Sequence, residues 1–117
     1  MYLVLALGCV HRPVEGGMAS WYGRELAGNP TASGEPFRPS QRTAAHKTLP
    51  FGTVVKVTRA DTGDTVRVVI NDRGPFAKGR VIDLSRRAAR RIDMLEIGTT
   101  RVELVVVGCR ERYGGCP

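Results

Sequence analysis

The sequence predicts a mainly β domain with one principal helix, on three observations. Fourteen Gly and seven Pro in 117 residues divide the chain into short elements. Two β-rich runs flank a turn signal in GTVVKVTRADTGDTVRVVIND, and a single stretch, DLSRRAARRIDMLEIG, carries helical spacing. The length suits one domain, because burying a useful core takes roughly 100 to 150 residues. A composition of 42% hydrophobic and 25% charged residues is that of a globular chain. No run approaches the roughly 20 apolar residues that span a bilayer as a helix.

The opening MYLVLALGC is apolar or small up to Cys9 and carries no charge before Arg12, so it reads as the end of an export signal. Ala6-Leu7-Gly8 before Cys9 resembles a bacterial lipobox, in which the cysteine becomes the lipid-modified N-terminus; the basic segment that normally precedes it is missing. HRPVEGG then reads as a linker, and the folded region is expected to begin at Met18. In the hairpin, Asp61-Thr62-Gly63-Asp64 is the turn, with Gly63 placed for positive φ. Val66, Val68 and Ile70 give its second strand one apolar face, opposite a mixed face of Arg67, Val69 and Asn71. The helix is expected from Ser85, its N-cap, to roughly Ile97, with Ala88, Ile92 and Leu95 on one side and Gly98 ending it. Arg86, Arg87, Arg90 and Arg91 fall on its other faces as a solvated surface that adds to attraction for anionic wall polymer or lipid. A last strand is expected over Arg101 to Val107, with Val102, Leu104 and Val106 on one face.

Eighteen Lys and Arg against eleven Asp and Glu leave a net charge of +7, which favours polyanionic partners without choosing among them. Nucleic acid is disfavoured, since one Trp, three Tyr and three Phe supply no basic face interleaved with stacking rings. Of the three cysteines, Cys109 and Cys116 can close a small loop by a disulfide in an oxidising compartment. Cys9 is left for lipidation, or stands as a free thiol or an intermolecular partner. Two distant histidines and no Cys-x-x-Cys give no metal site at usable spacing, and no cofactor is expected.

Five phrases in order, GMASWYG, NPTASGEPF, TAAHKTLPFGTVVKVT, VVINDRGPF and RVIDLSRRAA, resemble the double-psi β-barrel module of the rare lipoprotein A family, from about Gly17 to Val107. The resemblance implies a six-stranded double-psi β-barrel with one main helix over residues 18–107, a signal and linker over 1–17, and a Cys-containing tail over 108–117. It also implies a bacterial envelope protein, acting as a monomer, that cleaves peptidoglycan glycan strands, preferring strands stripped of their peptides, and is held to a membrane by a lipid on Cys9.

Cutting a glycosidic bond requires a proton for the leaving oxygen as the sugar becomes oxocarbenium-like, work suited to a carboxyl. Asp72 matches the family's aspartate and is expected as acid and base, with Glu35 orienting substrate or stabilising positive charge. His46, Trp21, Tyr22 and Arg73 are expected to bind substrate. Plainer roles stand beside these: Asp72 as an Asx cap of the Gly74-Pro75 turn, Glu35 as a loop residue, His46 as a hydrogen-bonded structural residue, Trp21 and Tyr22 as core, and Asp83 as a helix-start or ion-pair residue. Two other functions also stand: a noncatalytic wall-binding or division-associated lipoprotein, and an expansin-like loosening of polymer contacts.

Overall fold

The computed structural model describes residues 13–111, and Cys9 and Cys116 lie outside them. Six strands close into one barrel in the order β1-β5-β2-β4-β3-β6. They are β1 (Pro13–Trp21), β2 (Thr43–Ala45), β3 (Thr53–Arg59), β4 (Thr65–Asp72), β5 (Arg80–Leu84) and β6 (Thr100–Cys109), with α1 (Arg86–Arg91) between β5 and β6. The pairs β1–β5 and β2–β4 are parallel, and the other four contacts are antiparallel. Closure leaves no strand edge unpaired around the wall.

Period-two alternation builds the interior. On β3, Thr53, Val55, Val57 and Arg59 are buried, and on β4 Val66 and Val68 are buried between more exposed neighbours and Ile70 is buried after them. With Ile82, Leu84, Val102 and Leu104 they form one core, each large aliphatic contributing about 1.5–3 kcal/mol on burial. The β3–β4 hairpin turns where expected, and Gly63 takes φ +80°, which the left-handed turn position favours in glycine.

Two boundaries differ from expectation. The first strand starts at Pro13, inside the linker-like segment, because Pro13 to Ala19 pairs along β6 while Met18 to Trp21 also pairs with β5. Local sequence there carries no strand pattern, and the pairing is supplied by residues at the other end of the chain.

The helix is six residues long, not the expected run to Ile97. Ile92 and Met94 are both fully buried. Residues two apart on a helix point about 200° away from each other, so the chain must leave the helix to bury both. It does so by a Schellman turn: Asp93 N donates to Arg90 O, Met94 N donates to Ala89 O, and Asp93 takes φ 58°. Arg59, at the end of β3, caps the freed carbonyls by donating to Ile92 O at 3.1 Å and Asp93 O at 2.7 Å, while its Nε donates to Asp61 at 2.7 Å. At the other end Ser85 accepts from Ala88 N, as expected of an N-cap.

Candidate functional site

The site is built where β4 ends. Along β4 the register against β2 runs Ala44↔Ile70 and then Ala45↔Asp72, so Asn71 is an extra residue on one strand, a bulge. A bulge breaks the two-residue alternation and re-aims the side chains that follow. Ile70 and Asn71 are consecutively buried, and Asp72 is released to the half-exposed lip of the barrel.

Asp72 is held there by backbone. Its Oδ1 accepts from Ala32 N at 2.9 Å and from its neighbour Arg73 N at 2.9 Å, and its own carbonyl accepts from His46 N at 3.1 Å. The second bond is local, from the next residue in the chain, and the first ties the carboxylate to a segment forty residues away in sequence. Asp72 is therefore fixed in direction while remaining half-exposed.

The loop that supplies Ala32 also carries Glu35. It is braced internally by Thr31 N and Thr31 Oγ1, which donate to Glu35 O at 2.8 and 2.7 Å, and by the Pro30↔Pro36 bridge. It is fastened to the barrel by Ser33 N donating to Asn71 O at 3.1 Å and by Asn71 Nδ2 donating to Glu35 Oε1 at 2.8 Å. Two successive residues of β4, Asn71 and Asp72, thus join the two expected carboxylates into one structure. Asn71 is 1% exposed, and its Oδ1 has no hydrogen-bond partner among the described residues.

His46 is buried, with both ring nitrogens engaged. Nδ1 accepts from Thr48 N and Leu49 N, both at 3.1 Å, which requires that nitrogen to be unprotonated. The proton then sits on Nε2, which donates to Glu15 on β1. His46 braces β1, the 46–49 turn and the Asp72 carbonyl. Arg73 donates to His46 O at 3.2 Å and lies over the Phe51 ring at 4.1 Å, so its guanidinium fastens the same turn.

Tyr22 stacks at a tilt on Phe37, with ring centroids 4.6 Å apart. Burial first, and then the charges of Asp72 and Asp83, push its phenol above the ordinary value, which places it within electrostatic reach of both carboxylates. Its buried hydroxyl has no hydrogen-bond partner among the described residues. Trp21 is half-buried and packs on the core. Asp83 accepts from Ser20 Oγ and from Arg80 at 2.7 Å, an ion-pair residue.

Three residues near the site are not among those the sequence points to. Asn71 belongs to the mixed face of the β4 alternation, and only the bulge buries it. Glu15 lies in the segment taken for a linker. Phe76, 84% exposed, follows Asp72 by four residues across the cis Gly74–Pro75 bond. Its signal was present in the RGPF phrase, as an aromatic placed in a turn. Cys109 is disulfide-bonded; the expected pairing with Cys116, like lipidation of Cys9, involves residues outside those described. Among the described residues no three His, Cys, Asp or Glu side chains gather as a metal site.

A family model described as lytic transglycolase matches residues 14–104. The probable endolytic peptidoglycan transglycosylase RlpA of Nostoc sp. is 55% identical over 94 residues, covering 79% of this chain and 25% of that protein. The endolytic peptidoglycan transglycosylase RlpA of Helicobacter pylori is 52% identical over 99 residues, covering 85% of this chain and 30% of that protein. The chain thus spans between a quarter and a third of the length of these curated relatives. In fold it is similar to the Streptomyces papain inhibitor, with a TM-score of 0.64 at 24% identity over 82% of this chain and 97% of the inhibitor. An expansin of Clavibacter michiganensis gives 0.61 at 24% identity, over 80% of this chain and 50% of the expansin. The family match over residues 14–104, borne on a closed six-stranded barrel, establishes that the chain belongs to the lytic transglycolase family of double-psi β-barrels.

Proposed function

We propose that this chain is an endolytic transglycosylase of peptidoglycan, with Asp72 as the acid and base. One observation carries the reading: Asp72 is oriented by two backbone N–H groups at the half-exposed lip, while Asn71 beside it holds Glu35. Those donors use one carboxylate oxygen, Oδ1, and none of them is a side-chain cation.

Asp72 protonates the glycosidic oxygen as the bond to C1 of the muramyl sugar breaks. It then accepts the proton of that sugar's own 6-hydroxyl as the hydroxyl oxygen attacks C1. The glycan ends in a 1,6-anhydro ring, no water is consumed, and the residue returns to its starting protonation. Glu35, directed by Asn71, orients the sugar or stabilises the positive charge developing at C1. Tyr22 and the exposed Phe76 offer surface to the sugar rings. His46 and Arg73 act by holding the turn behind Asp72.

The relatives' names place their action on peptidoglycan, and the same envelope setting is proposed here: export, a lipid on Cys9, a Cys109–Cys116 bridge, and action as a monomer. The disulfide at Cys109 supports an oxidising compartment. Incubation with intact and with amidase-treated sacculi, followed by mass spectrometry, tests the reading. Soluble products with 1,6-anhydromuramyl ends are expected, more from the amidase-treated sacculi. Sedimentation with sacculi and no such product would instead support a noncatalytic wall-binding protein.

A further inference from the structure

On the outer wall, α1 and the end of β6 flank an open groove of about 700 Å³ whose lining, among the described residues, includes Arg42, Arg67, Arg87, Arg91 and Arg110 and no carboxylate. A smaller concavity of about 350 Å³ adjoins it through Arg87 and adds Arg24, Arg86 and Arg90, again with no carboxylate among the described residues. Arg87 and Arg91 are one helical turn apart, as are Arg86 and Arg90, so the short helix presents two basic rungs to the two hollows.

These eight arginines account for the chain's charge. Eighteen Lys and Arg face eleven Asp and Glu, so without this cluster cations and carboxylates nearly balance. Among the described residues the ion pairs of arginine are made by Arg59 and Arg80, and none by the eight. Crowded like charges with no counter-charge favour an anionic partner, and the planar guanidinium matches phosphate oxygens two at a time.

We propose that this arginine-lined groove docks the phosphodiester headgroups of an anionic phospholipid bilayer. The half-buried Val54, Val69 and Val107 give the groove an apolar floor inside its basic rim, which suits an amphiphile better than a wholly ionic polymer. Among the described residues, none that line the groove is an aromatic upon which single-stranded nucleic acid would stack. Pro13, four residues after Cys9 in sequence, pairs with Val105, two residues from Val107; this last support rests on the proposed anchoring. Asp72 is not among the lining residues; the nearest of them on β4, Val69, is three residues away, about 10 Å along the strand.

The test uses the non-acylated chain with vesicles of phosphatidylcholine, alone or mixed with phosphatidylglycerol. Sedimentation with the mixed vesicles, falling as salt rises, and none with phosphatidylcholine alone is expected. Replacing Arg42, Arg67, Arg87 and Arg91 together by Gln should weaken binding at least about 100-fold. Replacing Lys47, Lys56, Lys78 and Arg101 by Gln removes the same charge elsewhere and should weaken it less than about tenfold. Cleavage of denuded glycan in solution by the four-arginine variant should be unchanged, which separates this surface from the catalytic one. Equal losses in the two sets would overturn the proposal, as would absence of binding to the mixed vesicles. Binding to soluble polyphosphate but not to vesicles would also overturn it, in favour of a polymer site.

Discussion

Asn71 Nδ2 donates to Glu35 Oε1 at 2.8 Å, and the residue after Asn71 is the proposed acid and base. One bulged strand end therefore sets both carboxylates, and a change at Asn71 should disturb the site without touching either of them.

Asn71→Ala removes the Glu35 donor from a position that is 1% exposed. The loss should cost about 1–3 kcal/mol, a fall in Tm of several degrees in thermal unfolding. Cleavage should fall more than glycan binding does, because Glu35 loses its direction. An unchanged Tm together with an unchanged cleavage rate would show that the bond has no part in the site.

Phe76 is 84% exposed, so Phe76→Ala should leave Tm within about a degree of the wild type. If its ring covers a sugar face, the lost apolar burial raises KM by roughly tenfold with a smaller effect on kcat. A matching fall in kcat at constant KM would place Phe76 in the chemistry and contradict a binding role.

Tyr22 makes an alkaline prediction. Burial, Asp72 and Asp83 raise its pKa in the folded chain above the unfolded value of about 10. The contribution to stability is complete below pH 10 and is lost as pH rises toward the folded value, since the unfolded chain gives up that proton first. Tyr22→Phe should flatten the alkaline fall in stability measured by denaturant unfolding at several pH values. It should also leave neutral Tm equal or higher, because the buried hydroxyl has no partner among the described residues. A steep alkaline fall persisting in Tyr22→Phe would assign that limb to another group.

The parts of the fold legible in sequence were those written locally. The β3–β4 hairpin shows alternation on both sides of a Gly turn, and Ser85 caps the helix at the residue expected. What sequence could not show depends on distant partners. β1 begins in Pro-Val-Glu-Gly-Gly, which has no apolar period, and becomes a strand through β6 and β5. The helix stops early because the core takes Ile92 and Met94 together, and Arg59 from β3 caps the stop.

The same division runs through the site. The NDRGPF and SGEPF phrases point to Asp72 and Glu35, but the bond between their segments depends on the β2–β4 register and on a buried Asn71. The Glu15–His46 pair spans thirty-one residues and joins a segment that reads as a linker to a residue expected to bind substrate.

The most direct test of the account is the rate of 1,6-anhydromuramyl product formation from denuded glycan strands by Asp72→Asn. The Asn side-chain oxygen can still accept from Ala32 N and Arg73 N, so the lip should keep its shape and still bind glycan. Cleavage should fall by at least about 100-fold, the lower end of a general acid–base contribution. Glu35→Gln, which keeps an oxygen for Asn71 Nδ2, should lower the rate less. Folded Asp72→Asn that makes anhydro ends as fast as the wild type would contradict the account and pass the acid role to Glu35.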